Sequence, residues 1–162
     1  MVKKVMQGVL LALTVTVAML GTSTLPAAAA TSGCGSPCEG QNPHSYVYKG
    51  PGGPSHWVPC EADAITPKST STKHYKVDVD GNGGYVELRY SPTCRTAWAR
   101  TNLYVHSMYA YSYDKNGHER KNAYQYTDSV LYTVMLNDAG YTAKACVVIP
   151  VTGGEMACTS KY

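Results

Sequence analysis

The sequence predicts an all-β protein: a small, disulfide-stapled antiparallel sandwich or barrel behind an irregular Gly/Pro-rich amino-terminal arm. Three observations predict it. From Lys73 onward, short runs of alternating apolar and polar residues are separated by turn signals. Six cysteines, an even number, follow a segment that reads as an export leader. Between leader and strands, prolines and glycines punctuate the chain too often for regular structure.

The leader comes first. Lys3 and Lys4 precede a mostly apolar run from Val5 to Leu20, and Pro26 with Ala27 to Ala30 supplies small residues for cleavage. This is the layout of a secretory signal peptide, residues 1–30, cut after Ala30. The run is shorter than the ~20 residues that span a bilayer, so no membrane span is expected after its removal. The protein is expected to be secreted and extracellular. Thr31 to Tyr162 remain, 132 residues. Of the 14 basic residues two leave with the leader, and none of the 11 acidic ones do, so the net charge falls from +3 to +1. That leaves no electrostatic footprint for nucleic acid. Hydrophobic residues make up 44% and charged ones 15%, which suits a packed core rather than disorder. The chain has 14 Tyr and no Phe, so its rings are expected near water or hydrogen-bond partners.

Residues 31–72 form the arm. It contains Cys34, Cys38 and Cys60, the run Gly50-Pro51-Gly52-Gly53-Pro54, and a short helical turn expected at Glu61 to Ile65. Residues 73–162 form the antiparallel β domain, and 31–162 together make one domain. Strands are expected at Lys73 to Val79, Tyr85 to Tyr90, Leu103 to Tyr113, Asn122 to Thr127, Val130 to Leu136, Tyr141 to Ile149 and Glu155 to Ser160. Arg95 to Arg100 reads as a helical turn or a strand start. Asn116-Gly117 signals a two-residue hairpin turn.

The cysteines are expected as disulfides. Cys146 and Cys158 are equidistant from Thr152, so a hairpin turning there sets them opposite each other at about 4.5 Å between Cα atoms. Cys34 and Cys38 are then expected to reach Cys60 and Cys94, in an order that spacing leaves open. A zinc set would draw on Cys34, Cys38, Cys60 and His44 or His56, but oxidation suits the expected compartment better.

Two further groups stand out. Asp78, Asp80 and Asn82 match the first half of a calcium loop, but Arg89 stands where its bidentate Glu belongs, so calcium is a weak candidate and no other cofactor is expected. Alternation sets Tyr109, Tyr111, Tyr113, Tyr124 and Tyr126 on one face of the Asn-Gly hairpin. The opposite face, with Ala110, Ser112, Lys121, Ala123 and Gln125, is more polar, so the tyrosines are expected to face the core. An exposed platform for stacking a ligand is the alternative. Asp63, Glu87, Arg89, Arg95 and Arg100 are expected to form a structural ion network around Trp98.

The run Tyr85 to Arg100, YVELRYSPTCRTAWAR, closely resembles the hallmark of a family of secreted actinobacterial proteins catalogued only as a domain of unknown function. Cys34 and Cys38 before Gly40 and Pro43, Cys60 before Asp63-Ala64, and Ala145-Cys146 with Ala157-Cys158-Thr159 fit the same resemblance. It implies a small extracellular β domain in a Gram-positive actinobacterium, and it brings no reaction and no catalytic residues. Similar domains on the outer side of membrane-anchored regulators imply ligand sensing.

These readings converge on an extracellular ligand-binding or cell-surface interaction module. Its partner would be a cell-wall glycan or another extracellular protein. Its candidate binding residues are the five tyrosines with Arg89, Arg95, Trp98 and Arg100. The alternatives are a hydrolase with a carboxylate/Arg site near Glu87 and Arg89, or a proteinaceous inhibitor or effector presenting the loop at Gly50 to Pro54.

Overall fold

The computed structural model describes residues 33–50, 57–104, 107–127, 130–149 and 153–162; the segment expected as a leader, residues 1–30, lies outside them, as does most of the Gly50 to Pro54 loop. Two four-stranded antiparallel sheets form a sandwich, not a closed barrel. The first orders β3 (Lys76–Asp78), β4 (Tyr85–Ser91), β5 (Thr96–Thr101) and β8 (Leu136–Asn137). The second orders β10 (Glu155–Cys158), β9 (Thr142–Ile149), β6 (Ser107–Tyr113) and β7 (Glu119–Gln125). In the arm, β1 (Val47–Tyr48) pairs with β2 (Val58–Pro59). No helix among the described residues is long and apolar enough to cross a membrane.

The sandwich core follows from alternation. Val86 and Leu88 of β4 and Ala97 and Ala99 of β5 point at Met108 and Ala110 of β6 and at Ala143, Ala145, Val147 and Ile149 of β9. So many alanines suit two sheets in close approach, where larger side chains on both sides would clash. The other face of the first sheet is not exposed. The arm lies over it, and the cysteines Cys34, Cys38, Cys60 and Cys94 pack there with Trp98 and Met135 as a second core. The layers are therefore arm, first sheet, second sheet, and the outer face of the second sheet meets solvent.

Salt bridges and backbone hydrogen bonds fasten the arm. Glu39 takes a bidentate pair of bonds from Arg120 at 2.9 and 3.2 Å. Ile65 and Tyr90 exchange backbone bonds at 2.8 and 2.9 Å. Burial pushes the Glu39 carboxyl up, but Arg120 and Lys121 outweigh it and hold the group below its ordinary range.

Several expectations need correction. Glu61 to Ile65 is a chain of turns ending in a β-bridge from Ile65 to Tyr90, not a helical turn. Of the two readings open for Arg95 to Arg100, the strand start holds, as β5 from Thr96. The strand expected from Leu103 begins at Ser107. Residues 130–135 do not form a strand: Leu131 and Thr133 bond to β5, but Met135 N–H goes instead to the arm carbonyl of Gln41. Only Leu136–Asn137 remains as strand.

The Asn-Gly turn is one residue longer than expected. Pairing runs from Tyr109 opposite Tyr124 to Ser112 opposite Lys121, then slips so that Tyr113 faces Glu119. Asp114 N–H donates to His118 O, leaving Lys115, Asn116 and Gly117 as a three-residue loop. Gly117 takes φ 84°, the left-handed position that closes such a loop. Gly117→Ala is expected to cost about 1 kcal/mol in chemical denaturation, because the backbone there disfavours any Cβ.

Candidate functional site

The five hairpin tyrosines face outward, against the expectation that they wall the core. The small residues Ala110, Ser112 and Ala123 occupy the inner face instead, where close sheet packing admits them. Tyr124 and Tyr126 are 40% and 52% exposed, and Tyr113 is buried. The rings form one connected array. Tyr109 and Tyr111 are nearly parallel with centroids 5.7 Å apart, Tyr109 meets Tyr124 at 5.0 Å, and Tyr124 meets Tyr126 edge-on at 4.8 Å.

Two lysines close one end of the array. Lys144 Nζ lies 5.2 Å from the Tyr111 ring and Lys161 Nζ 3.4 Å from the Tyr113 ring. Burial raises the Tyr111 hydroxyl pKa, and Glu119 adds to it. The phenol therefore stays protonated as a donor. Tyr109 lies opposite Cys146, whose disulfide to Cys158 sits on this same sheet. The face presents apolar rings, hydroxyls that donate and accept, and ammonium groups at one end. That is the chemistry for stacking on and hydrogen-bonding a polyhydroxylated or anionic ligand.

Glu87, Arg89 and Arg100 lie on the opposite side of the molecule, beneath the arm. Glu87 is buried and accepts from Thr66 Oγ1 at 2.5 Å and from Arg100 Nε. Arg89 donates to Ala64 O at 2.7 Å and bonds Glu61 at 3.3 Å, and Arg100 reaches Glu61 too. These groups are spent on holding the arm against β4 and β5. Glu87→Gln is expected to lower stability by roughly 2 kcal/mol, read as a shift in urea midpoint, since a charged hydrogen bond to Arg100 becomes a neutral one. Asp63 accepts from Ser91 Oγ and Thr93 N–H, closing the turn before Cys94.

The other candidates separate. Arg95 takes φ 55°, its side chain lies against Gly33, and its charge acts on Tyr90 and Asp138. Trp98 is wholly buried against the cysteine cluster, so it is no surface contact for a ligand. Asp78 accepts backbone bonds from Asp80 and Gly81, and Asp80 from Asn82 and Gly84. Their carboxylates organise the β3–β4 turn, and no third acidic, His or Cys side chain joins them among the described residues.

The cysteines pair as Cys34–Cys38, Cys60–Cys94 and Cys146–Cys158. The bridge from Cys34 to Cys38 corrects the expectation that each reaches into the body. Ser36–Cys38 forms a 3₁₀ turn, with Cys38 N–H on Gly35 O, that brings the two Cα atoms to 5.5 Å. The fourth sulfur beside Cys34, Cys38 and Cys60 is Cys94, not a histidine; His44 stacks on Tyr132 and His56 lies outside the described residues.

Sequence reasoning did not single out Asp138. It is 8% exposed, its Oδ1 has no hydrogen-bond partner, and burial raises its pKa to about 7 although Arg95 pulls it down. An Asp in an Asn-Asp-Ala-Gly run reads as a turn residue, so no local signal marked it.

A family model described as a protein of unknown function (DUF2690) matches residues 36–146, more than half of the chain. The chain belongs to the DUF2690 family. No curated protein and no solved structure matches it. The DUF2690 match takes in the arm network, Cys60, Cys94 and Trp98, and the whole tyrosine hairpin, and it ends at Cys146.

Proposed function

We propose that this DUF2690 protein is a secreted binding module whose ligand is a cell-wall or environmental glycan, held on the outer face of the second sheet. One observation carries the reading: Tyr109, Tyr111, Tyr124 and Tyr126 form a continuous, at least partly exposed ring array on the solvent side of the sandwich, with the buried Tyr113 at its end. Monomeric domains seldom leave so many large rings outside without a partner for them. Sugar rings offer C–H faces to aromatic rings and hydroxyls to phenols and ammonium groups, which matches what this face supplies.

The hydrolase reading has less support. Glu87 and Arg89 face the arm, and their polar groups are engaged by Thr66, Arg100, Ala64 and Glu61. The inhibitor reading rests on the Gly50 to Pro54 loop, most of which lies outside the described residues.

Sedimentation of the chain lacking residues 1–30 with peptidoglycan and with insoluble neutral and acidic polysaccharides tests the proposal. Retention on at least one is expected. The double variant Tyr124→Ala/Tyr126→Ala should weaken it roughly tenfold, each ring contributing about 0.5–1.5 kcal/mol. Both rings are exposed, so thermal unfolding of the variant should match the parent. No retention on any glycan, or retention that ignores the double variant, would refute the assignment.

A further inference from the structure

The four sulfur atoms of Cys34, Cys38, Cys60 and Cys94 all lie within 4.8 Å of one another. Two disulfides do not require this, since each bond fixes only its own pair. Contacts outside the bonds create the convergence. Gly35 N–H donates to Cys94 O, Cys34 Sγ lies 3.3 Å from that same carbonyl, and Cys60 N–H is held by Tyr46 O. The 3₁₀ turn at Ser36–Cys38, with Cys34 just before it, thus brings both cysteines onto the turn that carries Cys94.

Such a cluster matches a second chemistry. Four thiolates around a zinc-class ion sit ~2.3 Å from the metal, which places the sulfurs roughly 3.8 Å apart in a tetrahedron. The present sulfurs, all within 4.8 Å of one another, already fill a volume of that size. Cys34 and Cys38 have the short spacing typical of a ligand pair in structural zinc sites. Cys38, Cys60 and Cys94 are wholly buried under Trp98 and Met135, as a closed site requires. Cys34 lines an open depression with Pro37, Tyr46, Tyr48 and Lys49, which supplies an entry path. The net charge of −2 on a divalent tetrathiolate has cations near it: Lys49 in the depression and the Arg95 side chain on Gly33.

We propose that this cluster is a redox-gated metal site, two disulfides when oxidised and a four-thiolate site for a zinc-class cation when reduced. The conversion balances. Each disulfide takes two electrons and two protons from a dithiol reductant, which itself closes to a disulfide. Two such reductants give four thiols, and metal binding expels their four protons to solvent. Cys146 and Cys158 belong to the second sheet and take no part.

Cobalt(II) titration of the anaerobically reduced full-length chain tests this, in the parent and in the Cys146→Ser/Cys158→Ser variant. Expected are one cobalt per chain, the thiolate-to-metal charge-transfer and intense visible bands of a tetrahedral site, and four cysteines protected from alkylation in both proteins. Cys34→Ser should weaken cobalt binding at least ~10-fold. Absence of cobalt uptake by the reduced chain, protection of fewer than four cysteines, or loss of the spectrum in the Cys146→Ser/Cys158→Ser variant would overturn it. The glycan-binding face plays no part in this readout, so the two proposals fail separately.

Discussion

Trp98→Ala is expected to destabilise the protein by roughly 3–5 kcal/mol, the cost of deleting a large ring from a site that cannot collapse. Trp98 is wholly buried between β5 and the arm. Around it stand two disulfides, whose cross-links keep the walls apart, and Met135. A cavity there stays open, so little of the lost contact is regained. The arm has few other apolar anchors, with Tyr46, Tyr48 and Ala64 only partly buried. Urea unfolding should show a lower midpoint with little change in slope. The Cys34–Cys38 bridge should also become reducible faster, because its cover is gone. Trp98→Phe separates packing from polarity. The indole N–H of Trp98 has no hydrogen-bond partner, so a phenyl ring forfeits volume but no bond. Its cost should be about 1–2 kcal/mol. Equal costs for the two variants would show that the indole N–H carries the stability instead.

The strands were legible where alternation met a strong turn. Val86, Leu88 and Tyr90 advertised β4, and Cys146 fell opposite Cys158 because both count equally from Thr152. The hidden parts have physical causes. Alternation tells which residues share a face but not which face is covered, and alanine looks like a poor core residue until a second sheet comes close. The tyrosines were therefore assigned to the wrong side. Residues 130–135 have strand composition, yet the arm carbonyl of Gln41 takes the Met135 N–H, a competition between segments ninety residues apart that no local window contains. The same holds for the arm itself. Its irregular sequence gave no hint that Glu61, Thr66 and Ala64 would meet Arg89, Glu87 and Arg100. The run YVELRYSPTCRTAWAR thus reads as two interleaved sets: one faces the sandwich core, the other the arm.

Raising the pH from about 4 to about 7 is expected to cost this protein stability through one residue, Asp138. Its carboxyl is pushed to about 7 by burial, against an unfolded value of 3.8, and the nearby Arg95 only partly opposes the shift. The sign follows from proton counting. Between those two values the folded chain holds a proton that the unfolded chain has released, so rising pH favours unfolding. The contribution is complete below pH 4, fades as pH rises toward 7, and is absent above it. Its size is roughly 4 kcal/mol from the two pKa values. Glu39 acts in the opposite sense, because its carboxyl is lowered and its stabilisation is lost in acid. The parent's profile is therefore a sum, and the difference between parent and Asp138→Asn isolates the buried group. Asparagine keeps the shape without a charge. The variant should match the parent near pH 4 and exceed its stability at pH 8 by a few kcal/mol, read from urea midpoints across that range. A constant difference at every pH would mean that Asp138 keeps its charge in the fold. In that case Arg95, whose main-chain carbonyl takes the Asp138 N–H, would be holding that carboxylate as a buried ion pair.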